Sequence, residues 1–324
     1  MSLFQTRAWQ DAWWAIWGET PGFSKVARPA EDGSGLYIDR YRFKGVLPVR
    51  CLQFVGTNYR RLSTPRTEYN GFGLDDTAAG DAPLQVLDRT AWSEAVFRDV
   101  PEASVDFQCL QRLAEERGWL WREVARDTAY QIDTRGPFDA YQTNLGRNTR
   151  LRFFNRRKVL EGLAEVRQTN AFPDDINRFF ELLNGFHRDR WGQPCFSDAS
   201  LAFHRRFLEN VPLEGGQPRL SILWSGPQPV SVLYNVVYRG CLYNIQSGFL
   251  EHFHRKLALG SLHLGYAIED AFHDDAVHQF DLLAGSGKNC NYKRPIATDS
   301  CELVSVMLVR SAWAKGLYRL KERL

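Results

Sequence analysis

The residue types that could do chemistry gather in one stretch, Cys241–Lys293. A strand-like run, Cys-Leu-Tyr-Asn-Ile-Gln-Ser-Gly-Phe, leads into the loop Leu250–Gly260. That loop ends Arg255-Lys256-Leu257-Ala258-Leu259-Gly260-Ser261, where a helix is expected to begin. Exposed N–H groups at a helix start, small residues that allow close approach and two cations beside them suit a pyrophosphate. The same residues also suit an ordinary strand-to-helix loop with Ser261 as N-cap. Downstream, Val277–Leu283 reads as a strand carrying Asp281, and Tyr292 and Lys293 follow it.

A second group lies upstream. His187 stands one helical turn from Leu183 and from Trp191. Its neutral-range pKa suits a base or a group that orients an acceptor. A buried, hydrogen-bonded structural histidine fits the same apolar neighbours. Arg147, Arg150, Arg152, Arg156, Arg157 and Lys158 fall within Asn144–Lys158 with no acid among them. They form either a solvated helix face or a site for an anionic acceptor, a carrier's phosphates or tRNA.

Other signatures fail. Ala284-Gly285-Ser286-Gly287-Lys288-Asn289 lacks the first glycine and the hydroxyl of a phosphate-binding P-loop, with Leu282 and Asn289 in their places. Cys290 occupies the third glycine position of a dinucleotide fingerprint. Neither Gly-x-Ser-x-Gly nor His-Glu-x-x-His occurs, and His252 and His254 diverge on a helix, so no metal is expected.

Positioning these residues takes a sizeable fold. The 324 residues, 44% hydrophobic and 24% charged, suit ordered globular structure in two domains or one large one. A formal charge of +3 is too balanced for a protein that coats nucleic acid or anionic membrane. Six cysteines without a CxxC pair point to a reduced, cytoplasmic setting. The N-terminus lacks the unbroken apolar run of a signal peptide, and no run is long enough for a membrane span.

Trp9, Trp13 and Trp17 mark one face of a first helix. Strands are expected at Gly35–Asp39, Phe43–Val49, Cys51–Val55 and Trp119–Ala125, and helices at Ala91–Arg98 and Phe107–Arg117. The turn-rich run from Asp133 to Phe138 places a boundary that divides the chain into domains 1–133 and 134–324. Beyond it come a basic helix (Asn144–Glu161) and an amphipathic helix (Asp174–Trp191) with Ile176, Phe179, Phe180, Leu183 and Phe186 on one face. An antiparallel meander follows at Arg219–Trp224, Val230–Tyr238 and Cys241–Gly248. The helix Ser261–Phe272 and strand Val277–Leu283 then imply a right-handed crossover between parallel strands. A strand at Leu303–Arg310 and a helix at Ala312–Glu322 end the chain's pattern.

A meander leading to a strand, an Arg-x-x-Ala-x-Gly loop, a helix and a strand resembles the acyl-CoA-binding core of the GNAT (Gcn5-related N-acetyltransferase) superfamily. Its loop reads Arg/Gln-x-x-Gly-x-Gly/Ala, so Ala258 departs from the first glycine. More specifically, the chain resembles the CelD/BcsL-like branch, related to the FemAB aminoacyl transferases. That resemblance rests on Phe4–Trp9 with Ala12–Trp14, Phe54–Gly56 leading to Glu68–Phe72, the basic Leu145–Lys158 segment, Phe186–Trp191, and Phe280–Gly285 with Tyr292-Lys293.

The resemblance implies a mixed α/β (α+β) fold of tandem GNAT-like domains, the N-terminal one degenerate and the C-terminal one carrying the acyl-CoA-binding βαβ core. It implies an acyltransferase that moves an acyl group from acetyl-CoA, a longer acyl-CoA or an acyl carrier protein to an amine or hydroxyl. The acceptor would be a small molecule or a cell-envelope component. Backbone contacts from Gln246, Ser247 and Gly248 would line the thioester, where neighbouring strands splay. Arg255, Lys256, Ala258, Leu259, Gly260 and Ser261 would hold the pyrophosphate.

His187 would act as base or orienting group. Lys293 with Tyr292 would stabilise an oxyanion or a substrate carboxylate, unless Lys293 is a surface lysine. Arg147, Arg156, Arg157 and Asp281 would face the acceptor, Asp281 having an ion-paired structural role as its other reading. The competing readings are an aminoacyl-tRNA-dependent transferase, which no long heptad insertion supports, and a non-catalytic module of an envelope polysaccharide pathway.

Overall fold

The computed structural model describes residues 1–74, 84–285 and 290–322, so the Ser286–Asn289 part of the failed phosphate-loop match lies outside the described residues. The chain divides into two compact units, Met1–Thr128 with Cys301–Leu324, and Ala129–Ser300.

In the first unit the tryptophan stripe forms α1 (Arg7–Trp17), where Thr6 accepts the Trp9 N–H as N-cap. Trp9 and Trp13 are fully buried, and the Trp9 indole N–H donates to Thr67 at 3.0 Å. Strand β1 (Phe23–Ala27) pairs antiparallel with β2 (Leu36–Phe43), which pairs antiparallel with β3 (Leu47–Phe54). The expected strand at Phe43–Val49 is broken by the hairpin turn between them, with Phe43 ending β2 and Leu47–Val49 opening β3. Lys44 and Gly45 take φ of +50° and +75° there, a reversal no strand can contain. After α2 (Gln85–Arg89) comes β4 (Glu94–Pro101), parallel to β3.

The Ala91–Arg98 segment was expected as a helix and is corrected to this strand. Its Ala-Val-Phe run is buried on both faces between two other strands, so it lacks the alternation that marks a half-exposed strand. Helix α3 (Val105–Glu116), capped by Ser104, then leads into β5 (Leu120–Asp133).

The second unit opens with α4 (Phe138–Asn144). The expected basic helix is broken into α5 (Arg147–Arg150), a π-helical turn (Leu151–Asn155) and α6 (Arg157–Glu161). Phe153 and Phe154 from the π turn are buried in the core. Strand β6 (Val166–Asn170) and helices α7 (Ile176–Trp191) and α8 (Asp198–Asn210) follow. Strands β7 (Gln217–Ser225), β8 (Gln228–Tyr238) and β9 (Cys241–Phe249) form the expected meander. Helix α9 (Leu259–Phe272) crosses over to β10 (Gln279–Ala284), which lies parallel to β9, and α10 (Cys290–Lys293) comes next.

The last elements, β11 (Asp299–Val309) and α11 (Ala312–Glu322), carry the chain back to the first unit. There β11 lies between β4 and β5, with Leu303–Val309 wholly buried apart from nearly buried Ser305. A division at 134 assigns β11 to the second domain. By contacts it belongs to the first, because its apolar face completes the sheet beside β4.

Each unit therefore holds a mixed sheet flanked by helices, in the order β1-β2-β3-β4-β11-β5 in the first and β5-β10-β9-β8-β7-β6 in the second. In both, an antiparallel meander is followed by one parallel partner. Strand β5 contributes Leu120–Thr128 to the first unit and Ala129–Asp133 to the second.

Close packing of α9 on the π turn depends on Gly265, where an added Cβ would lie 2.0 Å from the Phe153 carbonyl oxygen. Gly265→Ala is expected to cost about 1–3 kcal/mol by overpacking, seen as a lower thermal midpoint. An unchanged melting curve would show that α9 does not need that approach.

Candidate acyl-transfer site

The site is built on a separation of two parallel strands. Strand β10 pairs with β9 only over Gln279–Asp281 against Cys241–Tyr243. Beyond that the β10 backbone turns to other partners. Asp281, 1% exposed, accepts the Leu283 N–H at 2.7 Å, and Leu283 takes φ of +59°. Lys293 Nζ donates to the carbonyls of Leu283 and Ala284, both at 3.0 Å.

On the other strand, β9 bulges opposite Tyr234–Asn235 and continues with β8 through Phe249. The Ser247 N–H donates to Oε1 of the adjacent Gln246 at 2.9 Å. The Ser247 carbonyl accepts from His187 Nε2 at 2.9 Å. These backbone groups are satisfied by side chains and not by a neighbouring strand, the splay that the family resemblance implies.

His187 reaches β9 because α7 packs against it at Gly248, where an added Cβ would stand 3.0 Å from Leu183 Cδ1. Nε2 carries the proton that it donates to the Ser247 carbonyl.

A second histidine, missed at the sequence level, works beneath the strand. His263 on α9 is fully buried, with Nδ1 3.0 Å from Ser231 Oγ and Nε2 2.9 Å from Ser221 Oγ. Ser231 Oγ donates to the Gly248 carbonyl at 3.1 Å, which fixes the direction of the relay. The Ser221 hydroxyl donates to His263 Nε2, His263 Nδ1–H donates to Ser231, and Ser231 donates to Gly248. Burial pulls the His263 pKa down to about 3, so the ring is neutral, as the relay requires. Consecutive carbonyls of β9, at Ser247 and Gly248, are thus each held by a side chain. An apolar helix period hid His263, since a histidine among leucines carries no motif.

Helix α9 begins two residues earlier than expected, at Leu259. Its N-cap is Ala258, which offers no side-chain acceptor, and Ser261 lies within the first turn. The reading of Ser261 as N-cap is therefore replaced, and the first amides of the helix have no side-chain cap. Arg255 and Lys256 are exposed just ahead of them. Leu259 is buried, and Gly260 is required by packing, because a Cβ there would meet the Phe249 ring at 2.5 Å.

The remaining candidates separate. Lys293 is buried, 6% exposed, and Tyr292 packs against the core, which raises its phenol pKa and keeps it protonated. Asp281 also accepts from Gln131 Nε2 at 3.2 Å and serves the β10 bend. Arg157 is ion-paired with Glu269 and lies over the Tyr266 ring at 4.2 Å, so its guanidinium is committed to α9. Arg147 is exposed and Arg156 half-buried. No cluster of three or more His, Cys, Asp or Glu suited to a metal occurs among the described residues.

Residues 147–294 match the family model described as Acetyltransferase (GNAT) domain. No curated protein matches the chain. Among solved structures, the chain is similar to FemX, with a TM-score of 0.62, 10% identity and coverage of 98% of this chain and 94% of that one. A conserved protein of unknown function from Bacteroides thetaiotaomicron VPI-5482 matches with a TM-score of 0.54, 11% identity and coverage of 94% and 91%. The C-terminal domain of a putative lysylphosphatidylglycerol synthetase from Agrobacterium fabrum matches with a TM-score of 0.53, 9% identity and coverage of 97% and 93%. At such identities the likeness is one of fold.

His263 and His204, both fully buried with pKa values drawn down to about 3, make acid stability a test of the relay. The unfolded chain takes up their protons near pH 6.5 while the folded chain refuses them. Stability is therefore full above that pH and falls towards pH 3, by up to about 1.4 kcal/mol per pH unit for each histidine. Denaturant unfolding at several pH values is expected to show a shallower fall in His263→Gln. An equal slope in both proteins would place protons on the folded His263.

Proposed function

We propose that the second unit transfers an acyl group from a thioester, acyl-CoA or an acyl carrier protein, to an amine by direct attack in a ternary complex. The observation that carries this reading is the parting of β9 and β10 after Tyr243 and Asp281, within the stretch that matches the GNAT family model. Ser247 would offer its N–H and carbonyl to the amide groups of a pantetheine arm, in place of Gln246 Oε1 and His187 Nε2. Gly248, tied back to Ser231, keeps the strand in register during that exchange. The first amides of α9, with Arg255 and Lys256, would take the pyrophosphate.

In the reaction the amine nitrogen forms a bond to the thioester carbonyl carbon and the carbon–sulfur bond breaks. The nitrogen's proton must leave, and the thiolate must gain one. His187, released from Ser247 on donor binding, has a ring nitrogen able to take the amine's proton. Tyr292 retains a phenolic proton, while Lys293 positions the end of β10 through the Leu283 and Ala284 carbonyls. Arg147 and Arg156 are the cations of the basic segment proposed to meet an anionic acceptor. A small-molecule or envelope acceptor and a cytoplasmic setting complete the proposal. Among the described residues no helix is long and apolar enough to cross a membrane.

Calorimetry with acetyl-CoA, a long-chain acyl-CoA and aminoacyl-tRNA tests the donor. An acyl-CoA is expected to bind, and Arg255→Ala with Lys256→Ala to weaken it by about tenfold, roughly 1.4 kcal/mol. His187→Gln is expected to keep donor affinity and lower turnover by about 10² or more. Binding of aminoacyl-tRNA without binding of either acyl-CoA would transfer the reading to aminoacyl transfer.

A further inference from the structure

We propose that a cleft in the first unit is a binding site for a small molecule bearing a phosphate dianion, separate from the acyl-transfer site. The cleft has a volume of about 380 Å³, and Arg50, Arg89 and Arg310 all line it together with Asp88, Trp92 and Ser93.

Sheet register builds the site. Ser93 donates its N–H to the Arg50 carbonyl at 2.9 Å, and its own carbonyl accepts the Arg310 N–H at 3.0 Å. Arg50, Ser93 and Arg310 thus form a row across β3, β4 and β11, one residue outside the row Cys51, Glu94 and Val309. Cys51 and Val309 point into a core cluster, so strand alternation turns the outer row to the opposite face. Strand spacing sets the two arginine Cα atoms about 10 Å apart with a serine between them. That span lets two guanidiniums close on one tetrahedral anion. Arg89 enters from α2.

The charges are what folding leaves unexplained. Asp88, the one carboxylate among the described residues lining the cleft, is held by Arg117 at 2.8 and 3.2 Å. Arg89 donates to the neutral Gln85 Oε1 at 2.9 Å, and Arg310 to the Thr90 carbonyl at 3.4 Å. None of the three forms an ion pair among the described residues. The Arg310 guanidinium lies 5.7 Å from the Trp92 ring centroid, which steadies it at the cleft. Three like charges around a concavity repel one another, so an anionic occupant is favoured. A carboxylate brings one charge, whereas a phosphate monoester brings nearly two and offers oxygens to each guanidinium fork.

The test uses the full chain, with glucose 6-phosphate as probe and glucose and gluconate as controls. Calorimetry is expected to show binding of glucose 6-phosphate at least tenfold tighter than gluconate, and none of glucose. Arg50→Ala with Arg310→Ala should weaken that binding at least tenfold, while Arg255→Ala with Lys256→Ala leaves it in place. Phenylglyoxal labelling read by mass spectrometry should show Arg50, Arg89 and Arg310 of the unmodified protein protected by the probe, which decides the matter even if the double variant fails to fold. Absence of binding, equal binding of gluconate, or loss of binding in the Arg255/Lys256 variant alone would overturn the proposal. None of these outcomes depends on acyl transfer, so this site can fail while the other stands.

Discussion

A backbone group that leaves a strand partner must find another, and the second unit is organised around meeting that demand where β9 and β10 part. On β10 the work falls to Asp281, which takes the Leu283 N–H, and to Lys293, which binds the two carbonyls that follow. The left-handed backbone at Leu283 costs about 1–2 kcal/mol for a non-glycine residue. Three hydrogen bonds, two of them to an ammonium, outweigh it. Residues that a motif search would assign to chemistry thus hold the gap open, and the chemistry is left to the groups that face it.

The opposite wall is held differently. Strand β9 keeps β8 as its partner, but two of its backbone contacts run to half-buried Gln246 and His187, while another runs through Ser231 to a neutral, buried histidine. The contrast is physical. Contacts made by half-buried side chains can be traded for a ligand at little cost, whereas the fully buried relay would leave unpaired polar groups if broken. On the proposed reading β9 would need both kinds, one to let go and one to keep register.

How much of this the sequence discloses follows from period and reach. The meander and crossover were legible because β7 largely alternates and α9 carries a continuous apolar period. The tryptophans of α1 were legible for the same reason. Central β4 was not, since burial on both faces erases alternation. Helix α8 hid behind polar residues on its outer face. Positions such as His187 and Lys293 could be named from type and place, but their partners could not, because Ser247 and Leu283 contribute only backbone atoms. Arg157 looked like part of a free cationic face until Glu269, far along the chain, was found beside it.

The placement of β11 bears on how the protein comes into being. Glu94 finds its antiparallel partner in Val309, and Val100 in Val304, so the sheet that contains β1 to β4 depends on a strand that lies beyond the whole second unit in sequence. Until β11 pairs with it, β4 presents an open edge, a template for mispairing. Pairings so distant in sequence also close slowly. The first unit is thus closed by a segment that follows the whole of the second, whereas the second unit, Ala129–Ser300, is contiguous in sequence and needs no such return.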